Sequence, residues 1–483
     1  MSVLLPLQSL CNYNTLRMKN ILNLQLDMTS GSIAKKTLIF ALPVLLSGWL
    51  QLLYSAMDLI VCGNFGSNYS VGAITATTSL THLIISLFMG ISVGANVLMA
   101  QAFGAKNKDK ANKIIGATYA LGLLSSVVLL VIGVTCSKFF LEWMGTPQDI
   151  IDLSNTYMTI YFIGIPFTII YNFGAALLRG LGDTTKPFFF LFIAGIINVG
   201  LNFLFVITFQ MDVAGVATTT VISQFISAFL VTLTLIRNKK SFANLTLKNI
   251  RFYKKETIGI IRIGVPAGLQ SALFSLSNVI IQSSINSFGP NAVSGAGAQS
   301  SIESFLATGV DAFAQATVAF VGANYGAMDE KRIKVSIFYT SLYGAIFAIV
   351  GGLLCYLFAE PLLRLYISDP EAIAYGVEKM MIVETTYVIY ALVCTISSAI
   401  RGLGFSFTPM VVSLLGICGV RILYVFTLFP LEQFHSMFGL YIAYPVSWLA
   451  ALLVHIPCLI FIGRYMFKKI KTAKEKSSAV ASI

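Results

Sequence analysis

The chain has 483 residues, of which 57% are hydrophobic and 11% charged. A soluble domain carries about 25% charged residues, so this composition excludes an ordinary soluble fold and points into lipid. The net charge of +12 does not indicate nucleic acid, because the basic residues are spread over alternate loops between apolar stretches.

A spanning helix takes about 20 mostly apolar residues. Twelve such stretches are predicted, at roughly 37–62, 70–102, 114–137, 152–178, 187–208, 214–236, 262–288, 294–323, 335–358, 376–400, 408–430 and 438–463. Met1 to Ser30 lacks the basic start, apolar core and cleavage site of a signal peptide, so insertion is expected to begin with the first spanning helix. In that helix Gln51, Tyr54, Ser55 and Asp58 share one face at i, i+3, i+4 and i+7 spacing. A charge at mid-bilayer costs about 2.5 to 3.5 kcal/mol on insertion scales, which makes Asp58 a functional candidate. The plainer alternative is that it reaches the interface or caps a neighbouring helix. Helix 5 carries Asn198 and Asn202 one turn apart, and helix 6 carries Thr218, Thr219 and Thr220. Residue counting places Asp58, Asn198, Asn202 and Thr220 all in the outer half of the first bundle. Their oxygens would hold a small hard cation or, equally, hydrogen-bond a protonated Asp58. Interhelical polar glue, worth about 0.6 kcal/mol per contact, is the structural alternative.

Helix 7 carries Ser271, Ser275, Asn278 and Gln282 on one face, and helix 8 carries Gln299, Glu303 and Asp311. At 100° per residue, Glu303 and Asp311 fall about 80° apart on one broad face. The two stripes are expected to line one cavity wall together with Gln51 and Tyr54, and its acids suit a cationic, lipophilic substrate. An internal hydrogen-bond network is the alternative for these acids. Glu384 on helix 10 and Arg421 on helix 11 lie at similar depth, which predicts a structural ion pair, since a lone buried arginine would stay unneutralised.

One set of loops carries most of the lysines and arginines, including Lys106, Lys108, Lys110 and Lys113, the run from Arg237 to Lys255, Lys331, Arg332 and Lys334, and the tail from Arg464. The alternate set carries only Lys138, Arg364 and Lys379, with most of the loop acids. The positive-inside rule puts the first set, and with it both termini, in the cytoplasm. The seven cysteines, Cys11, Cys62, Cys136, Cys355, Cys394, Cys418 and Cys458, form no CxxC pair and read as small buried hydrophobes rather than disulfides. His82, His435 and His455 are scattered, with no metal-ligand spacing.

The sequence repeats itself. Arg179-Gly-Leu-Gly, closed by Pro187, returns as Arg401-Gly-Leu-Gly with Pro409, 222 residues later, and Phe103-Gly-Ala returns as Tyr325-Gly-Ala at the same offset. Pro43 and Pro266, Pro147 and Pro370, and Phe65-Gly66 and Phe288-Gly289 are each 223 apart. Five matches at an offset of 222 or 223 define two halves of six helices. Because six is even, both halves enter the membrane in the same sense, as a parallel repeat with a pseudo-two-fold axis along the membrane normal. The expected organisation is an N-terminal segment 1–36, a first lobe 37–236, a basic linker 237–261, a second lobe 262–463 and a basic tail 464–483. Substrate would bind between rocking halves. The Arg-Gly-Leu-Gly loops are expected to be helix C-caps with glycine at positive φ, not phosphate loops, since no Gly-Lys-Ser/Thr follows.

Taken together, Leu42-Pro43, Asp58 followed by Gly63 and Phe65-Gly66, Gly94-Ala95 through Gln101-Ala102-Phe103-Gly104-Ala105, both Arg-Gly-Leu-Gly loops, Gly215 to Ser223-Gln224, and Gly322-Ala323-Asn324-Tyr325-Gly326-Ala327 give a chain that resembles the multidrug and toxic compound extrusion (MATE) family from about residue 33 to 463. The resemblance implies a twelve-helix, two-lobed antiporter in the cell membrane. It would export amphipathic, often cationic compounds against inward proton or sodium flow. Asp58, Asn198 and Thr220 match members of the family's first-lobe cation site. Asn202 departs from the aspartate usual there, and helix 7 lacks the glutamate of sodium-coupled members. The expected partners are small amphipathic substrates and membrane lipids, with no nucleic acid, no ATPase subunit and no cofactor beyond the coupling ion. A lipid-linked flippase is a close alternative, disfavoured by the acids in the expected cavity. A membrane enzyme would need a paired nucleophile and base or metal ligands, and a receptor or scaffold does not call for a six-plus-six repeat with intramembrane acids.

Overall fold

The computed structural model describes residues 25–67, 69–237 and 242–481, which are helical almost throughout with no strand among them. Cys11, Lys239, Lys240 and the side chain of His82 lie outside the described residues. The helices are α1 (Ile33–Phe65), α2 (Ser70–Gly104), α3 (Lys108–Trp143), α4 (Gln148–Gly180), α5 (Thr185–Thr208), α6 (Asp212–Arg237), α7 (Lys254–Asn286), α8 (Pro290–Gly326), α9 (Glu330–Leu357), α10 (Pro370–Val383 and Tyr387–Gly402), α11 (Phe407–Thr427) and α12 (Met437–Ala481). Eleven are continuous and apolar enough to span a bilayer, and the twelfth, α10, is a pair bent by 51°. The all-α, twelve-span fold is as the sequence predicts.

The helix ends differ from the hydropathy count. α3 runs six residues further at each end than 114–137, α7 begins inside the expected linker, and α12 continues to Ala481 through most of the expected tail. Charge stops a hydropathy count, but lysine and glutamate are good helix formers, so backbone hydrogen bonding continues into the headgroup region. The cap residues set the true starts. Asn107 Oδ1 accepts from Lys110 N at 2.9 Å and Asp329 Oδ1 from Arg332 N at 3.0 Å. Both Arg-Gly-Leu-Gly turns close as expected, with Gly182 at φ +82° and Gly404 at φ +97°. Asp183 N donates to Leu178 O at 2.8 Å and Phe405 N to Ile400 O at 3.2 Å, the six-to-one bond of a Schellman cap in each half.

The repeat is visible in the contacts between halves. A Cβ placed on Gly104 would sit 1.7 Å from Ala323 O, and one on Gly326 would sit 2.0 Å from Gln101 O. These are reciprocal contacts between positions 222 apart, as a two-fold axis requires, so the repeated Phe/Tyr-Gly-Ala motifs meet on that axis. Beside them α2 crosses α7 through Gly90 and Gly94 against Gly264 and Gly268, with would-be Cβ atoms 2.1 to 2.5 Å from the opposing backbone. Small residues four apart on both helices permit this close approach. The first half of α1 leans on α8, where Phe40 meets Phe320 edge to face with ring centroids 5.7 Å apart. Separate apolar cores fill the first and second lobes.

Residues 25–32 lie across the seam. Leu26 N donates to Gly182 O at 3.0 Å and Gln25 Nε2 to Leu181 O at 3.0 Å, in the first lobe. Met28 O, Ser30 O and Gly31 O accept from the Arg332 guanidinium of α9 at 3.3, 3.1 and 3.0 Å, in the second. The seam is therefore closed on the side where α1 begins and α12 ends. Further along α1, Trp49 Nε1 donates across the seam to Phe305 O at 3.0 Å. Beyond it Gln51, Ser55 and Ser301 are exposed and Ser304 half-buried, and the halves part toward the opposite side.

Candidate functional site

The structure assembles the first-lobe cluster from the residues the sequence selects. Asp58, on α1, is buried against α5 and α6. Asn202 Nδ2 donates to Asp58 Oδ1 at 2.7 Å and also reaches Asn198 Oδ1 at 3.3 Å. Thr220 Oγ1 donates to Asp58 Oδ2 at 3.2 Å. Thr219 completes the network, its hydroxyl 2.5 Å from Asn202 Oδ1. Both carboxylate oxygens thus receive donors, and the Asn202 amide oxygen is turned away toward Thr219. Asn202 meets Asp58 through its NH2, with its own oxygen satisfied by Thr219. Val61, Cys62, Val206 and Val216 close the cluster off, and a π-helical turn, Phe203–Thr208, follows Asn202 directly.

The expected wall of α7 and α8 divides. In the second lobe a cavity of about 280 Å³ is lined by Asn278, Gln282 and Glu303, as predicted, and by Lys379, Arg421, Tyr387, Tyr390, Tyr444 and Trp448. Gln299 is buried behind it, its Nε2 bridging Glu303 Oε2 at 3.1 Å and Glu384 Oε1 at 2.6 Å. Asp311 is exposed and lies outside this cavity, because two further turns along α8 carry it toward the closed end. Gln51 and Tyr54 are also absent from the lining. They belong to the first lobe, where Tyr54 rests on Gly195 and its hydroxyl donates to Leu191 O at 3.3 Å.

Glu384 and Arg421 do not form the predicted ion pair. Arg421 Nε donates to Ser447 Oγ at 3.0 Å and Nη1 to Asn278 Oδ1 at 2.9 Å, and the guanidinium stacks 4.4 Å from the Tyr444 ring centroid. Glu384 sits at the break in α10, bonded to Gln299. Equal depth was a necessary condition for the pair, but the bend turns Glu384 toward α8. Sequence counting also put Lys379 in a loop. It is 3% exposed within α10, its Nζ donating to Ser300 Oγ at 2.9 Å and Ala296 O at 3.3 Å. With Lys379 and Arg421 facing Glu303 and Glu384, the cavity is charge-balanced rather than acidic, and the electrostatic argument against a flippase falls away. The six described cysteines are free, with Cys62 and Cys418 buried and the others half-buried.

The MatE family model matches residues 43–204 and again 266–427. The matches start at Pro43 and Pro266, the proline pair of the internal repeat. Over 90% of its length the chain is 29% identical to the probable multidrug resistance protein YoeA of Bacillus subtilis (strain 168), covering 94% of that protein. It is 28% identical to the probable multidrug resistance protein YpnP of the same organism over 83% of this chain and 89% of that one. The crystal structure of MATE in complex with MaL6 superposes with a TM-score of 0.85 at 19% identity, covering 93% of this chain and 100% of that one. At that identity the likeness establishes the fold. With one family match in each six-helix half, together spanning more than half of the sequence, the protein belongs to the MatE family of membrane transporters.

Proposed function

We propose that this protein is a secondary antiporter that exports amphipathic small molecules by alternating access, with both termini in the cytoplasm and Asp58 as the residue through which ion flow drives the cycle. The observation that carries the reading is the Asp58 cluster: a buried carboxylate held by Asn202 and Thr220 in one lobe of a two-lobed repeat. An intramembrane acid of this kind is a functional residue by default. The multidrug resistance names of YoeA and YpnP support drug-like cargo. The basic loops on the side of the termini support the orientation. The Asn202 NH2 and the Thr220 hydroxyl, one donor to each Asp58 oxygen, suit a carboxyl that takes up and releases a proton, and the proton is our reading of the coupling ion.

The test is export from proteoliposomes of a fluorescent lipophilic cation and of a zwitterion of similar size, under a proton gradient and separately a sodium gradient. Wild type is expected to export under the proton gradient, and Asp58→Asn to lose that export. Export that persists in the variant moves coupling to Glu303, Asp311 or Glu384. The absence of export by wild type under either gradient overturns the antiporter reading. Movement of a labelled lipid diphosphate would then favour a flippase, for which Lys379 and Arg421 supply cationic groups in the cavity.

A further inference from the structure

The second-lobe cavity holds two buried cations, neither of them hydrogen-bonded to a carboxylate. Lys379 and Arg421 are 3% and 2% exposed, and both line the cavity. The ammonium is bonded to a hydroxyl and a backbone carbonyl, the guanidinium to hydroxyls and an amide. The two nearby acids are tied instead to Gln299. The five ion pairs among the described residues involve neither cation. Glu303 and Glu384 balance the two charges across the site, while each cation bonds only neutral groups and keeps its capacity for a charge-assisted bond to an anionic group. The Lys379 ammonium donates to Ser300 Oγ and Ala296 O and also lies 5.8 Å from the Tyr441 ring centroid. A packed aromatic wall flanks them, with Trp448 between Tyr387 and Tyr390 at centroid separations of 5.6 and 5.3 Å. Glu303, from α8, lines the same cavity.

We infer that this cavity is a binding site for a zwitterionic aromatic ligand, with the ligand's carboxylate between Lys379 and Arg421, its amine toward Glu303 and its rings against the Tyr387–Trp448 wall. A guanidinium fixed by its neighbours is suited to planar recognition of a carboxylate, and an aromatic lining with a few fixed polar groups is the usual make-up of a small-molecule pocket. The ligand's place in transport rests on the exporter reading. The binding itself is separable from it.

The test is fluorescence titration of the full-length protein in lipid nanodiscs at pH 7 with dansyl-lysine and with dansylcadaverine, which keeps the dansyl group and the amine and lacks the carboxylate. Hydrogen bonds between charged groups predict a roughly ten- to hundredfold preference of wild type for dansyl-lysine. Lys379→Met is expected to abolish the preference while leaving dansylcadaverine bound, and Lys379→Arg to retain it. Equal or tighter binding of dansylcadaverine by wild type, a comparison that needs no variant, overturns the inference. So does a preference that survives both Lys379→Met and Arg421→Gln. Gradient-driven export without any carboxylate preference removes this inference alone. A carboxylate preference without gradient-driven export removes the exporter reading alone.

Discussion

Asp58 is held through a relay in which each group fixes the next. Thr219 sets the Asn202 amide, and the amide then presents its NH2 to Asp58. Thr219→Val leaves a buried amide oxygen without its donor, which costs about 1–3 kcal/mol and frees the amide to rotate. The variant is expected to melt at lower temperature than Thr219→Ser, and equal melting of the two would show that the hydroxyl does not fix the amide. Asn202→Asp replaces the donor by a second carboxylate beside Asp58. Sodium should then stabilise the variant by mass action in a thermal melt where wild type is insensitive; a wild type stabilised equally would show that Asn202 is not what excludes sodium. The foursome of Asp58, Asn198, Asn202 and Thr220 was legible because helical spacing fixes a face and residue counting fixes a depth. Lys379 was not, because its depth depends on where its helix starts. The cap at Asp369, which accepts from Glu371 N at 2.8 Å, starts α10 at Pro370, so Lys379 lies nine residues in, about 14 Å along the axis at 1.5 Å per residue.

A break in a spanning helix leaves backbone groups that lipid cannot satisfy, so it persists only inside the protein. The break in α10 shows how side chains and a neighbour accommodate it. Thr386 Oγ1 bonds back to Ile382 O at 2.6 Å, competing with the helical ladder. α9 then comes in so closely that a Cβ on Gly352 would lie 2.1 Å from Glu384 O. Gly352→Ala has to displace that backbone, with an overpacking cost of about 1–3 kcal/mol. Gly351→Ala meets only the flexible end of Leu306, 2.6 Å from the added atom, and is the control. The first variant is expected to lose thermal stability and the second to keep it; equal melting of the two would mean the α9 contact does not support the bend. The sequence gives no sign of this break, since Val383 to Tyr387 contains neither proline nor glycine. The bend comes from tertiary packing and the threonine side chains rather than from backbone propensity. The Arg-Gly-Leu-Gly caps were legible for the opposite reason, because glycine at positive φ is a local requirement.

At the scale of the whole molecule, the alternating access we propose requires the seam of α1, α2, α7 and α8 to open on the side of the termini, and residues 25–32 lie across it. Arg332 is the main tie to the second lobe, with three bonds to this strap and a fourth from Nε to Asn324 Oδ1 at 3.0 Å. The strap has its own turn, built on Asp27. Burial raises the Asp27 pKa, but hydrogen bonds from Ser30 and Thr29, with the Lys36 ammonium nearby, outweigh it and lower the carboxyl from 3.8 to about 2. A lowered pKa contributes stability that is present above the unfolded value and lost as pH falls through the folded one. The turn should therefore hold throughout pH 5 to 8 and loosen only between about 4 and 2. Hydrogen exchange over residues 25–32 is expected to show equal protection at pH 5 and pH 8, after correction for intrinsic rates, and lower protection at both in Arg332→Ala and Asp27→Ala. If the strap restrains opening, Arg332→Ala also shifts spin-label distances between the lobes on the terminal side toward longer values, whereas Asp27→Ala, which leaves the Arg332 ties in place, shifts them less. Protection that falls between pH 8 and pH 5 in wild type would assign the strap's hold to a group other than Asp27. Unchanged inter-lobe distances in Arg332→Ala would mean that the glycine crossings at Gly94 and Gly104 hold the seam without the strap.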